Sequence, residues 1–249
     1  STSMRYFLKL ILFLISIGYS ISPSESADIL GVGKREVGFF QPLRWACSDR
    51  LECSTHPILM FVIPNFSVKI KHDKYHLTSI HNIFWPTPLL RLLQKEGMFG
   101  IVTPYADVGK IPHIVGIHNE LLKSVAISKA LITFKGGFGF AIVTEELDRR
   151  LTIDLPIVYP AMGSFFNKYK FNLGFDFRYY ATNKFSLLID GDAILIPSEN
   201  IFLHSKLIGE YNFNESWQLL LGSKITSGSY PFGDQIRLLP LFDIVYSWD

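Results

Sequence analysis

Apolar and polar residues alternate along most of the chain, and the alternation is clearest at the C-terminal end. From 235 to 249, one face of an extended strand carries only apolar and aromatic side chains: Ile236, Leu238, Pro240, Phe242, Ile244, Tyr246 and Trp248. The opposite face carries Gln235, Arg237, Asp243 and Ser247. A period of two residues predicts a β-strand with one apolar and one polar surface.

The same period predicts ten further strands, which gives eleven candidates in all. They lie at 37–46, 58–72, 75–85, 114–128, 131–143, 151–159, 171–181, 185–192, 201–213 and 217–226. A bacterial single-chain barrel has an even number of strands, so this count contains one error. If 37–46 does not span fully, the barrel has ten strands, which we favour. If a strand is hidden within 85–112, the barrel has twelve.

The composition favours a membrane protein. Apolar residues make up 48% of the chain and charged residues 18%, against about 25% charged in typical soluble domains. After the first 26 residues, no apolar run reaches the roughly 20 residues that a membrane-spanning helix needs. A chain of this kind crosses a bilayer as a closed antiparallel barrel, because lipid offers no partners to open sheet edges. We therefore predict one all-β barrel domain over 27–249, with a secreted soluble β-protein as the alternative.

The N-terminal end resembles a cleaved secretory signal peptide. Arg5 and Lys9 precede an apolar stretch at 10–19, and small residues at Ser24 and Ser26 fit cleavage before Ala27. We expect 1–26 to be this signal, with 1–3 as extra residues ahead of the first methionine. An uncleaved anchor is the alternative.

The signal-like start, the long amphipathic strands and the aromatic C-terminal end together resemble bacterial outer-membrane β-barrel proteins. The chain departs from that class in ending on Asp249, with Trp248 in the penultimate position. The resemblance implies an outer-membrane location, contact with outer-membrane lipids and insertion by the outer-membrane assembly machinery, which reads the last strand. The net charge of +2 gives no reason to expect a nucleic-acid partner, and the oligomeric state stays open.

Several side chains have predicted structural roles. Cys47 and Cys53 are close in sequence and predict a disulfide in an oxidising compartment. A metal site with His56 would need more ligands than this segment offers, and we expect no metal and no cofactor. Four aromatic residues near strand ends are expected at the membrane interfaces: Trp85, Trp217, Tyr246 and Trp248.

The polar faces of the strands predict the lining of the lumen. The candidates are Lys69, Lys71, Lys135, Asp176, Arg178, Asp190, Asp192, His204, Lys206, Glu210, Lys224, Arg237 and Asp243. Charges of both signs either pair across a narrow lumen or line a wet channel. The long connection at 86–112 is a solvated loop or an inward plug.

Three functions follow from this picture. A small porin-like channel for polar solutes or ions is the first, with the charged lining as its selectivity filter. A closed structural or interaction barrel that acts through its loops is the second. A membrane-embedded hydrolase or acyltransferase is the third. No segment contains a G-x-S-x-G nucleophile motif, so we name no catalytic residue and do not expect an enzyme.

Overall fold

The protein is a closed barrel of twelve antiparallel strands. The computed structural model describes residues 26–96, 109–153, 155–197 and 199–249. Each strand pairs with its neighbours in sequence, and β1 pairs with β12 to close the ring. The strands are β1 Arg35–Gly38, β2 Leu43–Ser48, β3 Leu51–Thr55, β4 Asn65–His72, β5 Leu77–Phe84, β6 Ile114–Ile127, β7 Ala130–Val143, β8 Tyr169–Tyr180, β9 Phe185–Leu195, β10 Ile201–Asn212, β11 Trp217–Tyr230 and β12 Gly233–Trp248. Within the described ranges, two α-helices accompany them, α1 Thr87–Glu96 and α2 Tyr159–Asn167.

The all-β barrel is confirmed, with twelve strands, the stated alternative, instead of the favoured ten. The predicted strand at 37–46 is two strands, because the chain turns back between Gly38 and Leu43. β3 was not recognised, since five residues beside a cysteine-bridged turn are too few for a clear alternation. The predicted strand at 151–159 is wrong: a 3-10 turn at Arg149–Leu151 and the start of α2 occupy that region. The predicted signal peptide lies outside the described residues except for Ser26.

The two ends of the barrel differ. At one end, called here the turn end, the connections are short: 49–50, 73–76, 128–129, 181–184 and 213–216. At the other, called here the loop end, they include 56–64, 85–113 and 144–168. Outer-membrane barrels have short periplasmic turns and longer extracellular loops. The turn end therefore corresponds to the periplasmic side.

The outer surface of the barrel is apolar and the inner surface is polar. Outward side chains such as Phe134, Leu173 and Leu238 are 56%, 59% and 68% exposed. Inward charged side chains such as Lys135 and Asp190 are buried. This distribution is the inverse of a soluble protein and matches a barrel whose outer face contacts lipid. Within the four described ranges, no helix combines the length and the hydropathy needed to cross a membrane.

An apolar lid closes the loop end. α1 contributes Leu89, Leu90 and Leu93 to a buried cluster that includes Met162 and Phe165 of α2. The cluster also takes in Leu59, Ile63, Ile111, Ile114, Leu147, Leu151 and Ile153 from the connections and from the start of β6. The described parts of the 86–112 connection are therefore packed against the barrel, while 97–108 lie outside the described residues.

The junctions between strands are unequal in length. β11 and β12 share fourteen residue pairs, from Trp217 with Tyr246 to Tyr230 with Gly233. β1 and β12 share four, from Arg35 with Trp248 to Gly38 with Val245. β1 and β2 share only two, Arg35 with Trp45 and Glu36 with Arg44, so the ring has its shortest contacts on the two sides of β1.

Candidate functional site

The structure places the predicted lining residues on the inner face of the barrel. Most of them are buried, while Lys71 near the turn end and Arg237 near the loop end are exposed. Buried among them are Lys69, Lys135, Asp176, Asp190, His204, Lys206, Glu210, Lys224 and Asp243. The lumen at mid-height is therefore filled by side chains.

The centre of the lumen is an ion-pair cluster around Lys135. Its Nζ lies 3.0 Å from Asp176 Oδ1, 2.7 Å from Asp190 Oδ2 and 2.8 Å from Asp192 Oδ1. Lys206 approaches Asp190 from β10, with Nζ 3.4 Å from Oδ2. Such a cluster links the inner faces of four consecutive strands, β7, β8, β9 and β10.

A second group of ion pairs lies toward the turn end. Arg178 Nη2 is 3.0 Å from Glu210 Oε1, and Ser186 donates to the other oxygen of Glu210 at 2.6 Å. Arg44, which the sequence analysis did not single out, pairs with Glu36 at 3.0 Å and with Glu52 at 2.8 Å. The first set of pairs lies within β8, β9 and β10 and the second within β1, β2 and β3, so the two sets line different parts of the wall.

Two predicted lining residues, Asp243 and His204, do not belong to these two groups of ion pairs. Asp243 Oδ1 accepts a hydrogen bond from the backbone N–H of Phe40 at 3.1 Å and so fixes the turn between β1 and β2. His204 Nε2 has no hydrogen-bond partner among the described residues. His204 therefore does not form a catalytic dyad with a serine.

Residues 26–30 run through the lumen and are held there by their backbone atoms. Lys69 Nζ donates to the carbonyl oxygens of Ser26 and Asp28, at 2.8 and 2.6 Å. Thr78 Oγ1 donates to the carbonyl of Ala27. The N–H of Ala27 donates to Ser124 Oγ at 2.8 Å, and the N–H of Leu30 donates to Glu52 Oε2 at 2.9 Å. Side chains of β3, β4, β5 and β6 thus hold residues 26–30 by hydrogen bonds to their backbone atoms.

The lumen is closed in this conformation. A cavity of about 210 Å³ remains beside residues 28–30, between Arg44, Arg178 and Glu210. The ion-pair cluster lies at mid-height and the apolar lid covers the loop end. A barrel filled in this way leaves its outer surface and its loops as the places where chemistry can occur.

A cluster of hydrogen-bonded polar side chains lies on the outer surface of β4, β5 and β6. Ser79 and His81 are two residues apart on β5 and face outward together, and Asn119 lies opposite His81 on β6. Exposed apolar side chains surround them, including Ile83 and Leu121. By contrast, the outward positions of β7 between Ala130 and Ile142 are all apolar or glycine. Polar side chains facing lipid cost free energy, and for this reason they often mark functional sites.

These side chains form a directed chain of hydrogen bonds. His81 Nδ1 is 2.7 Å from Asn119 Oδ1, and His81 Nε2 is 3.1 Å from Ser79 Oγ. Because the amide oxygen can only accept, Nδ1 carries the proton and Nε2 is free to accept from the serine hydroxyl. His72 Nε2 lies 2.8 Å from the same Oγ and completes its hydrogen bonding as a donor. The order serine, imidazole, amide is that of a nucleophile, a general base and the group that orients the base.

An apolar groove of about 520 Å³ opens beside this triad on the outer face. Ser79 is 4% exposed, yet it contributes to the groove wall together with His81 and Asn119. The rest of the wall comes from Leu121, Gly136, Gly137, Phe138, Phe171, Leu173 and Leu195, among others. A volume of this size is within the range of small-molecule sites.

The predicted aromatic residues and cysteines lie near the strand ends. Trp217, Tyr246 and Trp248 form a stack at the turn end, with ring centroids 4.7 and 5.4 Å apart. Trp85 follows β5 at the loop end and stacks on His113 at 5.9 Å. Cys47 and Cys53 are joined by a disulfide between β2 and β3.

The sequence analysis passed over the triad because it compared neighbours in sequence. The useful signal is the spacing Ser79-x-His81, since residues two apart on a strand share a face. Asn119 could not be added from sequence, because its position opposite His81 depends on the register of β5 with β6.

Comparison with known proteins supports the fold. No family model matches the chain, and no curated protein matches it. Among solved structures it is similar to an outer-membrane channel from Pseudomonas putida F1, with TM-score 0.52 and 9% identity over 92% of this chain and all of the other. A bacterial polysaccharide outer-membrane secretin gives TM-score 0.46 and 7% identity over 87% of this chain and 70% of the other. OmpT of Vibrio cholerae gives TM-score 0.42 and 9% identity over 86% and 64%. The likeness to the Pseudomonas putida channel shows that the chain has the fold of bacterial outer-membrane β-barrels, which confirms the predicted fold class.

Proposed function

We propose that the protein is a serine hydrolase of the outer membrane that cleaves esters from the lipid-facing side of the barrel. The observation that carries this proposal is the hydrogen-bonded chain Ser79–His81–Asn119 within the apolar belt. The filled lumen supports it indirectly, because it leaves little free passage for a solute. The proposal replaces our expectation of a barrel without enzymatic activity.

The reaction follows the roles of the three side chains. Ser79 Oγ attacks the ester carbonyl carbon while His81 Nε2 takes the hydroxyl proton, and Asn119 Oδ1 holds the imidazole through Nδ1–H. The tetrahedral intermediate collapses as His81 returns the proton to the leaving alcohol, which leaves an acyl group on Ser79. Water then attacks the acyl carbon with His81 as base, and the acid and free Ser79 are released.

An amide suits this place better than a carboxylate. Asn119 orients the imidazole without adding a charge to a lipid-facing surface, where a charge would destabilise the barrel. The imidazole is exposed on the outer face of β5, and β5 begins at Leu77 beside the turn end, so water from that side can reach His81 for the second half of the reaction. The three groups thus fit a site at the border between lipid and water.

The test uses the refolded protein in detergent micelles. It should hydrolyse p-nitrophenyl esters and react with a fluorophosphonate probe at Ser79. Ser79→Ala should lose labelling and lower the rate by at least about 10³-fold, and Asn119→Ala should cause a smaller loss. Ser223→Ala is the matched control, because Ser223 faces outward on β11, far from the triad. Labelling or hydrolysis that persists in Ser79→Ala would refute the proposal.

A channel is the second candidate function, and one observation favours it. The lumen binds residues 26–30 through hydrogen bonds and keeps a polar cavity beside them, so this segment could act as a removable plug. Single-channel recording in a planar bilayer tests this. We expect silence from the unaltered protein and conductance steps from Lys69→Met, which loses the hydrogen bond to the carbonyl of Asp28. A variant that folds and stays silent would leave the lumen as a filled core.

A further inference from the structure

We infer that the outer groove beside Ser79 binds one acyl chain of a membrane lipid, so that the substrate is a long-chain ester presented from within the bilayer. This inference rests on the proposed hydrolase function. It concerns the substrate class, which the triad alone does not define, since a serine nucleophile accepts many esters.

The register of four strands builds the groove in line with the nucleophile. Ser79 on β5 is opposite Leu121 on β6, which is opposite Gly136 on β7, which is opposite Leu173 on β8. Within this row only Gly136 lacks a side chain. A Cβ built at Gly136 would have a single neighbour within 4 Å, Leu173 Cδ2 at 3.9 Å. The missing side chain therefore leaves open space on the outer surface.

Aromatic rings border this space toward the loop end. His81, Asn119, Phe138 and Phe171 form the next row across the same four strands. The rings of Phe138 and Phe171 pack against each other with centroids 5.2 Å apart. Glu120 and Asn172 also contribute to the lining, from strand positions that face the lumen, and the other residues of the wall outside the triad are apolar or glycine.

Position and chemistry together select an acyl chain as the occupant. The groove opens on the lipid-facing surface, where the surrounding medium is hydrocarbon. A water-soluble ligand would gain little binding free energy from an apolar surface in this medium. An acyl chain in the groove makes close van der Waals contacts with Leu173 and with the rings of Phe138 and Phe171. With its chain in the groove, the ester carbonyl of a lipid lies at the polar end, beside Ser79.

The experiment fills the groove and compares two chain lengths. Gly136→Leu places a side chain in the open space, and Gly209→Leu is the matched control. Gly209 also faces outward, on β10, and a Cβ there would meet only ordinary contacts, the nearest at 3.5 Å from Phe185. The probes are p-nitrophenyl acetate and p-nitrophenyl palmitate in micelles, with fluorophosphonate labelling of Ser79 as the measure of an intact triad.

We expect Gly136→Leu to lower kcat/KM for the palmitate ester by about tenfold or more, the scale of steric exclusion from an apolar site. Acetate hydrolysis and labelling should stay within about twofold of the unaltered protein, and Gly209→Leu should change neither. Equal rates for palmitate in the two variants would overturn the inference while the hydrolase stands. Absence of labelling and of hydrolysis in the unaltered protein would overturn both.

Discussion

Removal of the buried lysine at the centre of the lumen should strongly destabilise the barrel. In Lys135→Met, three carboxylates lose their shared cation: Asp176, Asp190 and Asp192, which lie 2.7 to 3.0 Å from Nζ. Asp176 and Asp190 are directly opposite each other on β8 and β9, so their like charges then face each other without Lys135 between them. Asp190 retains Lys206 at 3.4 Å.

The magnitude follows from the burial of the cluster. The side chains of Lys135, Asp176 and Asp190 are 3%, 5% and 0% exposed, so solvent screens the remaining charges little. Removal of one partner of a buried ion pair typically costs 3–5 kcal/mol, and we expect the free energy of unfolding to fall by about that amount. Lys129→Met is the control, because Lys129 is exposed in the turn between β6 and β7, away from the lipid-facing surface, and it should change stability by less than about 0.5 kcal/mol.

Urea unfolding in micelles, followed by tryptophan fluorescence, measures the change. The double variant Lys135→Met/Asp176→Asn should recover part of the lost stability, because it removes one of the uncompensated carboxylates and keeps the Lys206–Asp190 pair. If Lys135→Met unfolds at the same urea concentration as Lys129→Met, the cluster does not hold the lumen together and the reasoning fails.

Two further predictions concern the loop end. Burial lowers the pKa of His56, whose Nε2–H donates to the carbonyl of Phe40, so the unfolded chain binds a proton that the folded protein does not. Stability should therefore fall as pH drops through about 6.5, and His56→Gln should flatten this part of the plot of thermal midpoint against pH. A profile unchanged by the substitution would contradict this. Gly116→Ala would place a Cβ 2.2 Å from the Phe84 ring and should lower the free energy of urea unfolding by about 1–3 kcal/mol, part of which Phe84→Leu should restore. If Gly116→Ala is as stable as the unaltered protein, the ring moves freely and the prediction is wrong.

The sequence predicted the second half of the barrel well, because there each strand is long and alternates strictly. The predicted 171–181 and 201–213 correspond to β8 and β10, Tyr169–Tyr180 and Ile201–Asn212. The faces were also predictable, since the charged residues along these strands point inward as a period of two requires. In such strands the lipid on one side and the lumen on the other impose the pattern.

The first half was less predictable for a physical reason. β1, β2 and β3 contain four to six residues, too few for a period to stand out. The segment 151–159 alternates like a strand, yet it lies in the lid, where apolar side chains are buried on all sides and no single face is imposed. The triad needs the strand register in addition, and register comes from long-range pairing that a single sequence does not reveal.

The short contact between β1 and β2 gives the barrel a defined line of weakness. A closed ring opens where the fewest backbone hydrogen bonds must break together, and two residue pairs hold this junction, while four join β1 to β12 and fourteen join β12 to β11. Unfolding should therefore begin as a separation of β1 from β2, with β1 still attached to β12. The intermediate would be an open twelve-stranded sheet, and in the reverse direction the same junction would be the last to form.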